Sequence, residues 1–392
     1  MTLPLDGLLV ADFSRVLAGP LTTMSLADLG ARVIKVERPG GGDDTRAWGP
    51  PWTENSSSYF ECANRNKESV TLDLGRPDDL RLARNLAERA DVVVENFMTG
   101  ALARRGLDYD SVRATNPGVV YCSVTGFGSA GGAGLAGYDF LVQAMGGLMS
   151  ITGDASGEPT KVGVALVDVL TAKDATIGIL AALAARERTG EGQRVEVNLL
   201  SSLLGSLANQ ASSYLATGQA PSRMGNAHPS IAPYETLRCA DDLIAVAVGN
   251  DGQFRHLAGV LEASELADDP GFATNAARVA HRTALVAALE ARLVAAPVDH
   301  WVAALTAVGV AAGRVGDIGD AFALASGLGL EPTAHVGPTT APQVRHPITY
   351  SATPVLDYRP PPRLGEHDTD VRRWLDDDGD PAQQLLGLSR GL

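Results

Sequence analysis

The sequence predicts an α/β protein with a large Rossmann-like domain, built on a parallel sheet, and a smaller α+β domain. In roughly the first half of the chain, short apolar runs alternate with helical patterns, which is typical of parallel strands covered by helices. Around residues 218–233 the composition shifts to Gly, Ala, Pro and Ser, as in a linker between domains. With 392 residues, 45% of them hydrophobic, the chain is long enough to bury two cores.

Six apolar runs are predicted to form the strands of the large domain: residues 8–13, 32–37, 68–74, 91–97, 119–124 and 194–198. Helical patterns lie between them at residues 21–29, 78–89, 110–115 and 199–217, and a strongly apolar one follows Asp168. Pro20 and Pro77 suit the first turn of a helix, and Gly30 suits a helix end. Because ligands of such folds bind beyond the carboxyl ends of the strands, we expect the site near residues 14–18, 37–38, 74–75, 96–98 and 125–128.

The small domain is predicted over residues 225–325, flanked by linkers at 218–224 and 326–331, so the large domain takes residues 1–217 and 332–392. It begins with a hairpin whose strands, 234–239 and 243–248, meet at an Asp-Asp turn. Helices are predicted at 254–261, 274–294 and 297–308, and a short helix at 366–376 ends the large domain.

Charge and cysteine content narrow the possible functions. A net charge of −14 argues against a nucleic-acid binder. No run of 18 or more apolar residues predicts a membrane span, and the first residues lack the pattern of a signal peptide. Three cysteines without metal-ligand spacing indicate a reducing compartment, so we expect a cytoplasmic protein.

Common catalytic motifs are missing from the sequence. There is no G-x-S-x-G elbow, no H-E-x-x-H motif and no P-loop, so no metal is expected. Residues 126–131 match G-x-G-x-x-G, but they follow the fifth strand and lead into glycine-rich sequence that forms helices poorly. We therefore interpret them as a mobile glycine loop and expect no nicotinamide cofactor. Arg38, Arg46 and Arg104 lie at or just beyond strand ends, where an anionic group could bind.

Asp168 stands among aliphatic side chains just before the apolar helix. A carboxylate is rarely buried without a partner, because removing the ion from water is unfavourable. Two interpretations are open at this point: Asp168 caps the helix that follows, or it is a catalytic carboxylate in a dry pocket.

Several segments, in order, resemble the class III coenzyme A transferases of the CaiB/BaiF type, which include formyl-CoA and carnitine-CoA transferases. They include DFSRVLAGP at 12–20, ADLGARVIKVERP at 27–39 and GDDTR at 42–46. Further matches lie at residues 64–67, 95–97, 125–128, 137–139, 147–153 and 364–367, so the resemblance covers nearly the whole chain. It implies a homodimer of two interlocked subunits with acyl-CoA and a carboxylic acid as substrates.

The resemblance also assigns residues. Asp168 falls on the catalytic aspartate of the family. The adenosine and phosphate side of CoA would meet Arg38, the strand end Leu72, Asp73, Leu74 and Gly75, the segment Asn96, Phe97 and Met98, and Arg104. Val16, Leu17 and Ala18 would lie against the pantetheine and the thioester, with Tyr138 and Asp139 beside the thioester. Gly249, Asn250, Asp251 and Gly252 resemble a glycine loop that closes over the site, although only two glycines remain here.

In this chemistry, Asp168 attacks the thioester as an ionised nucleophile and forms a mixed anhydride, then an aspartyl-CoA thioester. The same fold is implied for α-methylacyl-CoA racemases, which use a His at the position of Tyr138. A phenol with an ordinary pKa near 10 is a poor base at neutral pH, so transfer is favoured over racemisation. A CoA-binding protein without catalysis is the third alternative.

Residues 225–234 look most like the branch of the family that acts on dicarboxylates such as succinate. His228 or Arg15 is a candidate for holding the second carboxylate. His228 as a plain linker residue is an equally good interpretation.

Overall fold

The computed structural model describes residues 2–54, 56–337 and 340–377. The chain divides into two compact units. The first comprises the described parts of Met1–Gly146, Val162–Ala216 and Glu331–Leu392, and the second comprises Gly147–Lys161 and Thr217–Leu330.

The strands are β1 (Leu9–Asp12), β2 (Arg32–Glu37), β3 (Lys67–Thr71), β4 (Val92–Glu95), β5 (Val120–Thr125), β6 (Arg194–Asn198), β7 (Tyr234–Arg238), β8 (Leu243–Ala247), β9 (Ala311–Arg314), β10 (Thr333–Ala334) and β11 (Gln343–Val344). The helices are α1 (Ala18–Asp28), α2 (Ser58–Glu61), α3 (Pro77–Arg89), α4 (Tyr109–Thr115), α5 (Asp139–Met145), α6 (Leu148–Ile151), α7 (Leu166–Thr189), α8 (Leu199–Ser206), α9 (Ala208–Thr217), α10 (Asp251–Val260), α11 (Glu265–Asp268), α12 (Asn275–Ala280), α13 (Arg282–Leu293), α14 (Val298–Ala307), α15 (Ile318–Gly327) and α16 (Asp368–Asp376).

The first unit is built on a six-stranded sheet in the order β3-β2-β1-β4-β5-β6, and every neighbouring pair is parallel. All six predicted strands are therefore confirmed, with ends that differ by a few residues. The strand order reverses between β1 and β4, so the loops after these two strands diverge and leave a crevice. That crevice is where the candidate site lies.

One core of this unit lies between the sheet and helices α3, α4 and α16. Sheet residues such as Ile34 and Val93 are fully buried there, and α16 adds Val371, Trp374 and Leu375. The predicted C-terminal helix is thus part of the large unit and begins at Asp368.

The predicted helix at 199–217 is wrong in one respect: it is two helices. Asn198 caps α8 by accepting the Ser201 N–H, and α8 ends at Ser206. Ala208, the first residue of α9, has a φ of 44°, in the left-handed region, so the chain turns between the two helices. The pattern of side chains carries no signal for such a turn at an alanine.

The second unit contains a three-stranded antiparallel sheet, β7-β8-β9, whose first two strands form the predicted hairpin. The third strand was not predicted. The helix predicted at 274–294 is two helices, since His281 has non-helical backbone angles and separates α12 from α13. Among the described residues no helix is long and apolar enough to cross a membrane.

Candidate active site in the first unit

A cavity of about 300 Å³ opens at the reversal point of the sheet. Its walls come from the loop after β1, the end of β4, the glycine-rich segment 126–137 and the first turns of α5 and α7. The cavity brings together these residues predicted from the sequence: Val16, Leu17, Ala18, Asn96, Phe97, Met98, Tyr138, Asp139 and Asp168.

The loop after β1 is held in a strained conformation. Val16 has a φ of 71°, where a β-branched side chain is a rare outlier. The Asn96 side chain accepts the Arg15 N–H at 2.9 Å and donates to the Arg15 carbonyl at 2.7 Å. The Asp43 carboxylate accepts the Val16 N–H at 3.2 Å. These side chains therefore fix the turn that leads Leu17 and Ala18 into the cavity wall. The side chain of Asn96, predicted to contact CoA, is thus used to position this loop.

A buried ionic network supports the same loop. Lys35 lies 2.9 Å from Asp43 and donates to the Ser14 carbonyl, and Lys67 lies 3.1 Å from Asp12. All four charged side chains are almost inaccessible to solvent. Burial would raise the pKa of Asp12, but the charges of Lys67 and Lys35 and the hydrogen bonds from Ser14 and Thr23 together lower it to about 2. Because a buried ion without its partner is very unfavourable, this network makes the loop geometry hard to change.

Asp168 is the third residue of α7, and only 9% of it is exposed. Its carboxylate has no hydrogen-bond partner within the described residues, so it does not cap the helix. Asp139 accepts the N–H groups of Val167 and Asp168 instead, at 2.8 and 3.3 Å. The capping interpretation of Asp168 is therefore wrong, and the cap comes from a carboxylate 29 residues earlier.

Burial, and to a smaller extent the charge of the neighbouring Asp139, together raise the pKa of Asp168 from 3.8 to about 7. The N-terminal end of α7 stabilises the Asp168 anion, but this stabilisation is smaller than the destabilisation caused by removing the anion from water. The sequence predicts an ionised Asp168, and burial beside Asp139 makes that anion harder to form than on an ordinary carboxyl group.

Gln143 ties Asp139 to the segment before α7. Its side-chain amide donates to Asp139 at 2.7 Å, and its carbonyl oxygen accepts the Val162 N–H at 2.9 Å. The side chain is fully buried, so neither bond is shared with bulk water. Sequence reasoning missed Gln143, although it stands one helical turn after Asp139 on α5.

The first turns of α1 and α7 lie side by side. Thr22 donates its hydroxyl to the Ala172 carbonyl at 3.3 Å, and the residues one turn earlier on each helix, Ala18 and Asp168, both line the cavity. Two helix N-termini therefore converge on the cavity, and their dipoles favour negative charge there, although Asp139 already accepts the N–H groups of Val167 and Asp168 in α7.

Aromatic residues near the cavity were also missed. Burial raises the pKa of Tyr59 to about 12, and the nearby Asp168 charge is the next largest cause. Trp48 lines the cavity and packs edge-on against Tyr59, with ring centroids 5.3 Å apart. The predicted Tyr138 is 59% exposed. Nothing in the spacing of Trp48 or Tyr59 marks them as neighbours of Asp168.

The glycine segment has its two ends in backbone contact. A Cβ atom added at Gly126 would lie 2.3 Å from the Cα of Gly137, and one added at Gly137 would lie 2.7 Å from the Cα of Gly126. These two glycines are needed because any side chain would separate the ends of the segment. The segment interpreted as a mobile loop is therefore pinned at its ends and forms one wall of the cavity.

Other predicted CoA-binding residues lie outside the cavity wall. Arg38 is exposed and bound to Asp44 at 2.6 Å, and Arg104 is exposed in a short 3₁₀ turn. Leu72 is buried in the core, so only its backbone could meet a ligand. Asp73 accepts the Gly75 N–H at 2.9 Å in the turn that contains Leu74.

The predicted glycine loop belongs to the second unit. Asn250 caps α10 by accepting the Gln253 N–H, and Gln253 accepts the Gly249 N–H in return. Asp251 and Gly252 lie in the first turn of α10, where the buried Arg278 binds Asp251 at 2.8 Å. The helix predicted from residue 254 therefore begins at Asp251, and the segment is a capped helix start. Across the described residues, no cluster of three or more potential ligand side chains could hold a metal ion.

Comparisons with known proteins agree with this architecture. A model of CoA-transferase family III matches residues 5–368. A succinate–glutarate CoA-transferase of Agrobacterium fabrum is 46% identical over 95% of this chain and 96% of its own length. A human succinyl-CoA:glutarate CoA-transferase is 39% identical over 94% of this chain and 85% of its own length.

The structures agree as well. A CaiB/BaiF family protein of Brucella suis is 46% identical and superimposes with a TM-score of 0.85, covering 96% of this chain and all of that one. The resemblance drawn from the sequence is thus confirmed. The chain belongs to CoA-transferase family III and moves CoA between acyl-CoA thioesters and carboxylic acids.

Proposed function

We propose that the protein transfers CoA between dicarboxylic acids, with Asp168 as a covalent nucleophile. The observation that carries the mechanism is an unpartnered, buried carboxylate in a cavity where two helix N-termini converge. The dicarboxylate substrates rest on two relatives whose names specify glutarate.

The reaction divides into two symmetrical halves. An oxygen of Asp168 attacks the acyl carbonyl of the donor, the C–S bond breaks, and CoA leaves as a thiolate from a mixed anhydride. The thiolate attacks the Asp168 carbonyl and expels the first acid, which leaves an aspartyl-CoA thioester. The acceptor carboxylate attacks that thioester and expels the thiolate. The thiolate then attacks the acceptor acyl group, and Asp168 departs as a carboxylate.

The environment of Asp168 suits both the resting side chain and the attacking nucleophile. A pKa of about 7 means that Asp168 can take up a proton near neutral pH, which avoids an unpartnered buried charge when no substrate is bound. The carboxylate oxygens donate or accept no hydrogen bond within the described residues, so a lone pair is free to attack. Asp139 holds the backbone on which Asp168 stands and leaves its side chain open towards the cavity.

Each attack produces an oxyanion, and the start of α1 is the proposed place for it. The backbone N–H groups of Leu17 and Ala18 follow the strained turn at Val16 and lie on the cavity wall. One well-placed donor of this kind stabilises a transition state by about 3–4 kcal/mol. The strain at Val16 is thus explained as the means of directing these N–H groups at the oxygen of the reacting carbonyl.

We propose that CoA extends from the cavity over the loops after β2, β3 and β4, where Arg38, Gly75 and Arg104 would meet its phosphates. We also propose a cytoplasmic homodimer. All three cysteines are free thiols, as expected in a reducing compartment. The exposed face of α5 carries Phe140, Leu141 and Met145, an apolar surface that a partner subunit would cover.

Trapping tests the nucleophile directly. The protein is incubated with an acyl-CoA donor and then with hydroxylamine, which converts an aspartyl thioester into a hydroxamate that mass spectrometry locates. We expect the label on Asp168, and no transfer by the Asp168→Asn variant. Asp174→Asn is the matched control, an exposed aspartate on the same helix. Full transfer by Asp168→Asn would disprove the mechanism, and α-proton exchange in heavy water without an acceptor acid would indicate racemase chemistry instead.

A further inference from the structure

The charges around the cavity are unequal. Among the described residues that line it, Arg15 is the one cation, whereas Asp44, Asp139 and Asp168 are carboxylic acids. A dicarboxylic acid brings two carboxylates, of which only one reacts. The other needs a cation, because a second carboxylate left in an acidic cavity would be repelled.

The backbone of Arg15 is fixed and its side chain is not. Asn96 holds both the N–H and the carbonyl of this residue. The side chain is 53% exposed, and among the described residues it forms a single ion pair, with Asp44 at 3.3 Å. An exposed pair of this length is weak, so a ligand carboxylate can replace Asp44 readily.

Asp44 is not left alone when Arg15 changes partner. Its other oxygen binds Arg38 at 2.6 Å, a shorter contact than the one with Arg15. An arginine also offers two parallel donors to a carboxylate, a geometry that the single contact with Asp44 leaves unused.

We propose that Arg15 binds the non-reacting carboxylate of a dicarboxylic substrate, and that Asp44 occupies Arg15 in its place while the cavity is empty. The inference rests on the proposed dicarboxylate function and adds the residue that recognises the second carboxylate. Monocarboxylic acids leave the Arg15–Asp44 pair intact and gain nothing from it. Diacids exchange a weak internal pair for a stronger one.

The test compares glutarate with pentanoate, a monocarboxylic acid of the same length, as acceptors at a fixed, saturating concentration of donor. Arg15→Gln removes the charge and is expected to lower kcat/KM for glutarate about 10- to 100-fold, the range for one charged hydrogen bond, with pentanoate changed less than about threefold. Asp44→Asn removes the competitor, so KM for glutarate is expected to fall while pentanoate stays unchanged. Arg81→Gln, an exposed ion-paired arginine on α3, is the matched control.

Three results would decide against parts of this picture. An equal loss for both acids in Arg15→Gln overturns the role of Arg15. A higher KM for glutarate in Asp44→Asn overturns competition, because Asp44 would then be orienting Arg15. A wild-type protein that shows no preference for glutarate over pentanoate refutes the dicarboxylate function itself, and the hydroxylamine label on Asp168 would still report the transfer mechanism separately.

Discussion

Replacing Asp139 with asparagine isolates what sets the reactivity of Asp168. The pKa of Asp168 lies at about 7 against an ordinary 3.8, which corresponds to about 4 kcal/mol in favour of the neutral acid. Burial is the larger cause and the Asp139 charge the second. An asparagine keeps an oxygen that accepts the N–H groups of Val167 and Asp168, but it carries no charge. We therefore expect the pKa of Asp168 to fall, though not to 3.8, because the burial remains.

The assay is kcat/KM against pH, which reports groups in the free enzyme. With a pKa of about 7, only about a tenth of Asp168 is ionised at pH 6, so the wild-type rate there should be about a tenth of its plateau. In Asp139→Asn the acidic limb should move to lower pH. The new amide would face the Gln143 donor, so some loss of stability is expected, at about 1–3 kcal/mol. That loss changes the melting temperature, not the position of the limb.

Asp174→Asn, which removes a charge from the exposed side of the same helix, should leave the limb in place. If the acidic limb of the kcat/KM profile of Asp139→Asn lies at the same pH as in wild type, or at a higher pH, this reasoning is refuted. Asp139 would then act on Asp168 through geometry alone.

Two further predictions concern stability. The folded-state pKa of Asp168 is raised above its unfolded value, so the unfolded chain ionises first and stability falls as pH rises from about 4 to 7. At pH 8 the free energy of unfolding of Asp168→Asn should therefore exceed that of wild type by at most about 4 kcal/mol, measured by denaturant unfolding, whereas at pH 3 the two proteins should be equally stable. A gain of the same size at both pH values would contradict this prediction. Gly126→Ala should lower the melting temperature and activity, because its Cβ meets the backbone of Gly137, whereas Gly131→Ala, with open space around its Cβ and outside the cavity wall, should change neither. Equal effects of the two alanines would show that the contact is unimportant.

Strands β1, β4 and β5 were predictable because they are buried on both faces and have largely apolar sequences. Strand β9 was not, since its sequence, AAGR, carries neither apolar alternation nor branched side chains. The division of the predicted helix at His281 was also hidden, because the residues on both sides form helices well.

The candidate site was predictable as a list of residues and not as an arrangement. Asp168 and Asp139 are far apart in the sequence, so nothing local shows that one caps the helix of the other. The raised pKa of Asp168 likewise depends on burial, which a single sequence does not give. Asp44 and Arg15 are separated by a strand and a helix, and only the fold makes them an ion pair.

The central claim is that Asp168 exchanges an oxygen with the substrate, and an isotope measures this directly. The protein turns over an acyl-CoA donor with an acceptor acid whose carboxylate oxygens are ¹⁸O. When the acceptor attacks the aspartyl thioester, one labelled oxygen bridges the anhydride and stays on Asp168 as the new acyl-CoA leaves. We predict that mass spectrometry finds ¹⁸O in the peptide containing Asp168, and none in that peptide when the donor is omitted. Turnover with no label on Asp168, or with the label on another carboxylate, would contradict the account.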